Sequence, residues 1–317
     1  MKLENVIKAE KELKAIIKKT SLIKSSLYEK SNLYLKPENL QVTGSFKIRG
    51  AFNKIKSLTE EEKKHGVIAC SAGNHAQGVA LASKMMNIKA VICMPSSAPK
   101  IKIESAKKLG AEIVFVDGVY DDAYKKALEL KKGYGYTFVH PFNDEKVIEG
   151  QGTIAYEILE ELPETDIIIC AIGGGGLVSG ISAVAKQIKP NIKVYGVQAI
   201  GAPSMYASFA NEYVTKINKI KTFADGIAVK EVGDITYDYT SKYVDDVLVV
   251  KEEEILDAIK SLMTKEKIVA EGAGAAPLAA VINDYVPDAK GKNIVCVISG
   301  GNIDIDTLSK TILLGLD

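Results

Sequence analysis

From residue 67 onward the chain repeats one pattern: a short, wholly apolar run, then a stretch with helical spacing. VIAC (67–70) precedes a helical stretch near 74–86, AVICM (90–94) one near 99–109, and EIVFV (112–116) one near 121–132; YTFVH (136–140) ends the series. The runs do not alternate apolar with polar residues, so both of their faces must be covered. Strands covered on both faces and joined by helical crossovers form parallel sheets. A second series follows: a helix over 150–162, DIIICAI (166–172), a glycine run with a helix to about 188, KVYGVQA (193–199) and DVLVV (246–250). It ends with helices near 251–264 and 272–283 and the strand NIVCVIS (293–299). This spacing predicts an α/β protein of two lobes, each a mainly parallel sheet flanked by helices.

Upstream, Leu3, Val6, Ile7, Leu13, Ile16 and Ile17 form a helical stripe over 3–19, and NLYLK (32–36) reads as a strand. Phe46, Ile48, Phe52 and Ile55 continue as a helix, and Thr59 with Glu62 forms a capping-box pattern. Residues 200–245 are less regular and are expected to hold loops that shape access to a site. A chain of 317 residues is long enough for two lobes. Its net charge of +1, with no basic block, argues against a nucleic-acid surface. The N-terminus is charged and amphipathic, unlike a secretory signal, and no apolar run reaches membrane-spanning length, so no membrane partner is expected. Cys70, Cys93, Cys170 and Cys296 each lie in an apolar run and read as buried strand thiols without metal-ligand or redox spacing. A reduced, cytoplasmic setting is expected.

Four stretches carry chemistry. In KPENLQVTGSFKIRGA (36–51), Thr43, Gly44 and Ser45 suit a tight turn and N-cap, and Lys47 falls at the start of the helix that follows. The positive end of the helix dipole disfavours the lysine charge and lowers its pKa, as a Schiff-base amine requires. GGGGLVSG (173–180) joins a strand to a helix, where consecutive glycines turn backbone N–H groups toward an anion. It lacks both the dinucleotide spacing of glycines and the Gly-Lys-Ser/Thr of a Walker loop, so a small monophosphate fits best. SAGNHAQG (71–78) lies between a strand and a helix, where N–H groups at the helix start suit a carboxylate. SGGN (299–302) follows the last strand. Ligands of open parallel sheets sit beyond the carboxyl ends of strands, and each motif falls at such an end or on the lysine turn.

Together, in this order, the four motifs resemble the threonine dehydratase and serine racemase family of pyridoxal phosphate enzymes, over about Thr20 to Ile303. The resemblance implies a two-lobed fold type II architecture, like the tryptophan synthase β subunit. It puts a small lobe at 55–142 inside a larger one built from 1–54 and 143–317. It makes Lys47 the catalytic, cofactor-bearing lysine, and Phe46 a wall of the pocket. Gly173, Gly174, Gly175, Gly176 and Leu177 would hold the phosphate, Asn74 the ring hydroxyl and Ser299 the pyridine nitrogen. Gly226 and Glu271 would lie close to the cofactor. Ser71, Ala72, Gly73, Asn74 and His75 would hold the substrate carboxylate, His75 through its backbone alone. A homodimer or homotetramer is a further expectation of the family.

Racemases of this family need a second proton donor on the far face of the substrate, a serine where this chain has Ala72. They also use a divalent-metal site with two acids, where this chain has Gln198 and Ser204, which removes most of the attraction for a hard cation. No metal is therefore expected. The resemblance is to the short, catabolic dehydratases, and implies that Lys47 removes the α-proton of threonine or serine and that the β-hydroxyl leaves. The products would be 2-oxobutanoate or pyruvate, with ammonia. A serine or aspartate racemase, a 3-hydroxyaspartate dehydratase and a non-catalytic relative that binds an amino acid or nucleotide are the alternatives.

Overall fold

The computed structural model describes residues 1–313. In chain order its strands are β1 (Ile23–Ser25), β2 (Asn32–Lys36), β3 (Val67–Cys70), β4 (Ala90–Pro95), β5 (Glu112–Val116), β6 (Thr137–Phe138), β7 (Ile167–Ala171), β8 (Lys193–Ala199), β9 (Asp246–Val250) and β10 (Asn293–Val297). They form two sheets. One has the order β1-β2-β10-β7-β8-β9, the other β5-β4-β3-β6. Every pairing is parallel except β1 with β2. The apolar runs account for this. β3 and β7 are buried at every position, as strands covered by helices on both faces must be.

β2 and β10 are neighbours in register, Asn32 opposite Asn293 and Lys36 opposite Val297. The first and last long strands of the larger sheet therefore touch, and the whole four-stranded sheet lies between them in sequence. The order β2-β10-β7 also sets three carboxyl ends side by side. The lysine turn, SGGN and the glycine loop leave from those three ends.

The lysine helix (Lys47–Lys56) and the glycine-loop helix (Gly176–Ile188) both pack on the central helix Glu145–Glu161. A Cβ on Gly150 would lie 2.6 Å from the Arg49 carbonyl oxygen and from the Gly50 Cα. Only glycine lets these two backbones cross so closely, which seats the lysine helix at one fixed height above the sheet.

Several expected elements differ in detail. The N-terminal helix stops at Leu13; Ile16 and Ile17 follow in a turn and pack against the core of the smaller sheet. EIVFV is a strand but lies at a sheet edge, and Phe115 is 47% exposed, so its apolar run does not mean cover on both faces. YTFVH shortens to Thr137–Phe138, because Pro141 has no N–H to extend the ladder. The helix expected from 150 begins at Glu145, since Asp144 Oδ1 caps it by accepting from the N–H groups of Lys146 and Val147 at 2.8 and 3.2 Å. The irregular stretch contains two helices, Ser204–Asn211 and Asp234–Tyr243. The Thr59–Glu62 capping box forms as expected.

Candidate active site

The lysine turn and SGGN are bonded to each other. Ser45 bridges Gly300, and the Phe46 N–H donates to the Ser299 carbonyl at 3.1 Å. Above them opens a cavity of about 1140 Å³, lined from both sheets. Every residue singled out from the sequence as a site candidate lines it.

Lys47 is the first residue of its helix, and the N-cap position is Phe46, which has no side-chain cap. Ser45, expected in the capping role, is fully buried and its hydroxyl has no partner. The Lys47 ammonium donates to the Pro141 carbonyl at 2.9 Å and sits 5.2 Å from the centre of the Phe46 ring. Burial pushes its pKa down to about 8, against a smaller opposing pull from Glu271. The uncapped helix start acts in the same direction as burial.

Behind Lys47 lies a set of buried charges that sequence reasoning missed. Successive helical residues are about 100° apart, so Arg49 points away from the cavity where Lys47 points into it. Arg49 is fully buried and donates to both oxygens of Glu38 at 2.8 Å, to Glu157 at 2.5 and 2.9 Å, and to Thr153 at 3.0 Å. Lys36, also fully buried, donates to Glu157 and to the Thr20 carbonyl, each at 2.6 Å. Two cations face two carboxylates, which is what makes such burial tolerable. Arg49 and Lys36 hold the Glu157 carboxyl below its ordinary range. No local signal marks this cluster: Lys36, Glu38 and Arg49 share the 36–51 stretch, but the carboxylate that Arg49 and Lys36 have in common, Glu157, is 108 positions from Arg49.

The glycine loop fits a ligand held by backbone. A Cβ on Gly174 would lie 2.3 Å from the Phe142 ring, and Gly175 has φ +98° with Thr236 2.7 Å from where a Cβ would be. A side chain at either position would clash. Gly173 backs onto Gly226, whose carbonyl would lie 3.2 Å from a Cβ there. Gly176 opens the next helix, and Leu177 is buried behind it. The unpaired N–H groups of this helix start form a site for an anion.

The 71–78 loop closes the opposite side. The Ser71 hydroxyl accepts from the Gly73 N–H at 3.1 Å, and nothing lies within 4 Å of where a Gly73 Cβ would be. That space is left to a ligand. Asn74 opens the helix Asn74–Met85 and donates from Nδ2 to Glu271 Oε1 at 2.7 Å. Glu271 is 5% exposed, and burial, then the Asp225 carboxylate, push its pKa up to about 7. Asn74, Lys102 and Lys47 pull the other way. The His75 imidazole is used structurally: Nε2 lies 2.8 Å from the Val139 carbonyl oxygen, and burial lowers its pKa to about 3. Ser299 is buried, and its hydroxyl makes a single long contact, 3.4 Å to the Ala273 carbonyl. It is free to turn to a ligand.

Three further residues were not singled out from the sequence. Asn302, inside SGGN, donates to the Thr43 carbonyl at 2.8 Å and to Asn74 Oδ1 at 2.7 Å. Lys102 forms an ion pair with Asp225 across the cavity. Gln198 is committed within the chain: its Oε1 accepts from the N–H groups of Met205 and Tyr206, each at 2.9 Å, and so caps the helix Ser204–Asn211, whose Ser204 hydroxyl is buried without a partner.

An amine with a lowered pKa, a backbone cradle with no room for side chains and an uncommitted hydroxyl fit a small aldehyde that carries one phosphate. Comparison with known proteins agrees. The profile of the family described as "Pyridoxal-phosphate dependent enzyme" matches residues 13–300. An L-threonine ammonia-lyase of Thermotoga maritima is 52% identical over 279 residues, 88% of this chain and 69% of that protein. A catabolic L-threonine dehydratase of Escherichia coli is 44% identical over 274 residues, 86% of this chain and 83% of that protein. Among solved structures, maize serine racemase superposes with a TM-score of 0.93 at 34% identity, covering 99% of this chain and 97% of that one. The processed form of threonine deaminase isoform 2 from Solanum lycopersicum gives 0.92 at 37%, covering 99% and 94%. The lysine turn, the glycine cradle and these matches lead to one conclusion: the chain belongs to the pyridoxal-phosphate dependent enzyme family, with fold type II architecture.

Proposed function

We propose that this chain is a threonine ammonia-lyase, which converts L-threonine to 2-oxobutanoate and ammonia, and L-serine to pyruvate and ammonia. The observation that carries this reading is the Lys47 amine, its pKa lowered to about 8, sharing one cavity with a glycine cradle. Identities of 52% and 44% to enzymes named for threonine deamination support the substrate.

Lys47 would bind the cofactor aldehyde. The N–H groups around Gly173–Gly176 and Leu177 would hold its phosphate. Asn74 would meet the ring oxygen, Ser299 the ring nitrogen, and Phe46 would form a wall, with Gly226 and Glu271 nearby. When bound, pyridoxal phosphate supplies a carbonyl that condenses with amines and a conjugated ring that takes up the electron pair of a broken α C–H bond.

The chain's own residues do the rest. Lys47, as a neutral amine, accepts the substrate α-proton on Nζ; its lowered pKa keeps part of it unprotonated near neutral pH. Ser71, Ala72, Gly73, Asn74 and His75 present a helix start to the substrate carboxylate. Ser299 would be a neutral partner for the ring nitrogen and would not hold a proton there, which would favour prompt loss of the β-substituent. The β-hydroxyl leaves as water, and one water is taken up when the released enamine hydrolyses, so atoms balance between substrate and products.

Ala72 cannot deliver a proton to the far face of the α-carbon. The close superposition on maize serine racemase makes racemisation the second reading, but Ala72 and the cap made by Gln198 weigh against it. We also place the lobe boundaries at 55 and 142, since β3 to β6 lie within 67–138. A cytoplasmic homodimer or homotetramer is part of the proposal. All four thiols are buried and free, which suits a reducing compartment. No helix among the described residues is long and apolar enough to cross a membrane. The purified protein should be yellow and release a keto acid from threonine; a colourless protein without keto-acid release refutes the reading. Chiral analysis of serine incubations should find no D-serine.

A further inference from the structure

We infer that Asn302 is a positioning residue that decides which end of the Asn74 amide faces the cavity. The argument starts from a group that cannot turn over. The Thr43 carbonyl is backbone and can only accept. Asn302 Nδ2 lies 2.8 Å from it and must therefore be the donor end of that side chain. The same Nδ2 lies 2.7 Å from Asn74 Oδ1, so its second hydrogen goes there. The Asn74 carbonyl is thereby turned toward Asn302, and its Nδ2 donates to Glu271 Oε1 at 2.7 Å. One N–H of Asn74 remains. Asn74 therefore offers its ligand a donor, and the ligand atom it meets is an acceptor oxygen.

The chain of contacts has a second consequence. Thr43 lies in the turn just before Lys47. Asn74 lies across the cavity, on the helix that follows the smaller sheet's β3. Asn302 follows β10, and Glu271 stands just before the helix Gly272–Ile282. The turn is shaped for this contact: Gly44 has φ +69°, and a Cβ on it would lie 2.4 Å from Asn302 Oδ1. Asn302 thus ties the lysine turn to the 71–78 loop, and the two should open together. The inference rests on the proposed contact of Asn74 with the cofactor ring oxygen; the bonding pattern itself does not.

The test compares the wild-type chain with Asn302→Ala and Asn302→Asp, after thermal melts identify which variants fold. Asn302→Asp keeps the size but sets a carboxylate oxygen against the Thr43 carbonyl, and it attracts the Asn74 NH2 group away from Glu271. Pyridoxal phosphate binding is read by equilibrium dialysis and by the visible absorption band. Amide hydrogen exchange is read on the cofactor-free chains. Asn302→Asp should weaken cofactor binding at least about tenfold and shift the band, and Asn302→Ala should weaken it by about threefold to tenfold. Exchange should speed up in 43–46 and in 71–77 together. Wild-type binding and an unshifted band in a folded variant would overturn the inference, as would faster exchange in only one segment. If the wild-type chain itself binds no pyridoxal phosphate, the proposed function falls, and the exchange comparison still judges the link.

Discussion

Arg49→Met tests whether the lysine helix is held by buried charge. The substitution keeps an apolar stem of similar length and removes the guanidinium. In the native chain that group serves Glu38, Glu157 and Thr153 from a fully buried position. Without it, two carboxylates share one cation, Lys36, whose ammonium pairs with Glu157 and not with Glu38. Glu38 keeps one neutral donor, the Thr20 hydroxyl at 2.5 Å. Removing one partner from a buried ion pair costs about 3–5 kcal/mol. For chains of this size about 2–4 °C is lost per kcal/mol, so the melting temperature should fall by roughly 6–20 °C. Differential scanning calorimetry of the cofactor-free protein measures it. The double variant Arg49→Met/Glu38→Gln leaves Lys36 and Glu157 as a balanced pair and should recover more than half of the loss. A double variant no more stable than the single one would refute the charge argument and assign the loss to packing alone. An unchanged melting temperature in the single variant would refute it outright. Because Arg49 sits two residues from Lys47, surviving protein should lose more in kcat than in KM.

Three further outcomes follow from the site. Gly174→Ala pushes a methyl into the Phe142 ring, 2.3 Å away, and should weaken pyridoxal phosphate binding by at least about tenfold in dialysis, while the overpacking costs about 1–3 kcal/mol and lowers melting by several degrees. In the cofactor-free chain, acylation of Lys47 followed by peptide mapping should show a midpoint near pH 8, well below the 10.5 of an ordinary lysine; a midpoint near the ordinary value would remove the case for an activated amine. Glu271, raised from 4.5 to about 7, binds more protons folded than unfolded between those values, so its contribution to stability falls as pH rises through that window. Glu271→Gln keeps an acceptor for Asn74 without the charge. Its stability relative to wild type in urea should therefore grow from pH 5 to pH 8, by on the order of 3 kcal/mol; a constant difference would contradict the buried-carboxyl account.

How much of this was legible in the sequence depended on how local each cause is. KVYGVQA has the strand bounds its apolar run suggests, because burial on both faces writes itself into every residue of a run; DVLVV keeps its bounds as well, though it lies at a sheet edge and is only partly buried. EIVFV shows the limit: an edge strand can carry the same composition as a central one, and only the sheet order reveals which it is. The glycine loop and the helix start at Lys47 were legible for a similar reason, since a positive φ or a helix start constrains the residue where it stands, whereas the role expected of Lys47 came from the resemblance. Lys36, Glu38, Arg49 and Glu157 were not. Each is an ordinary charged residue until its partners are known, and Arg49 and Glu157 are 108 positions apart. Asn302 is the sharper case, because it lay inside a motif already recognised. Beside two glycines it reads as a turn residue, and its work depends on a carbonyl 259 positions away. Within one motif, then, Ser299 took its expected role from the family resemblance, while Asn302 needed the fold, since an amide has a direction only when something fixed tells it which way to point.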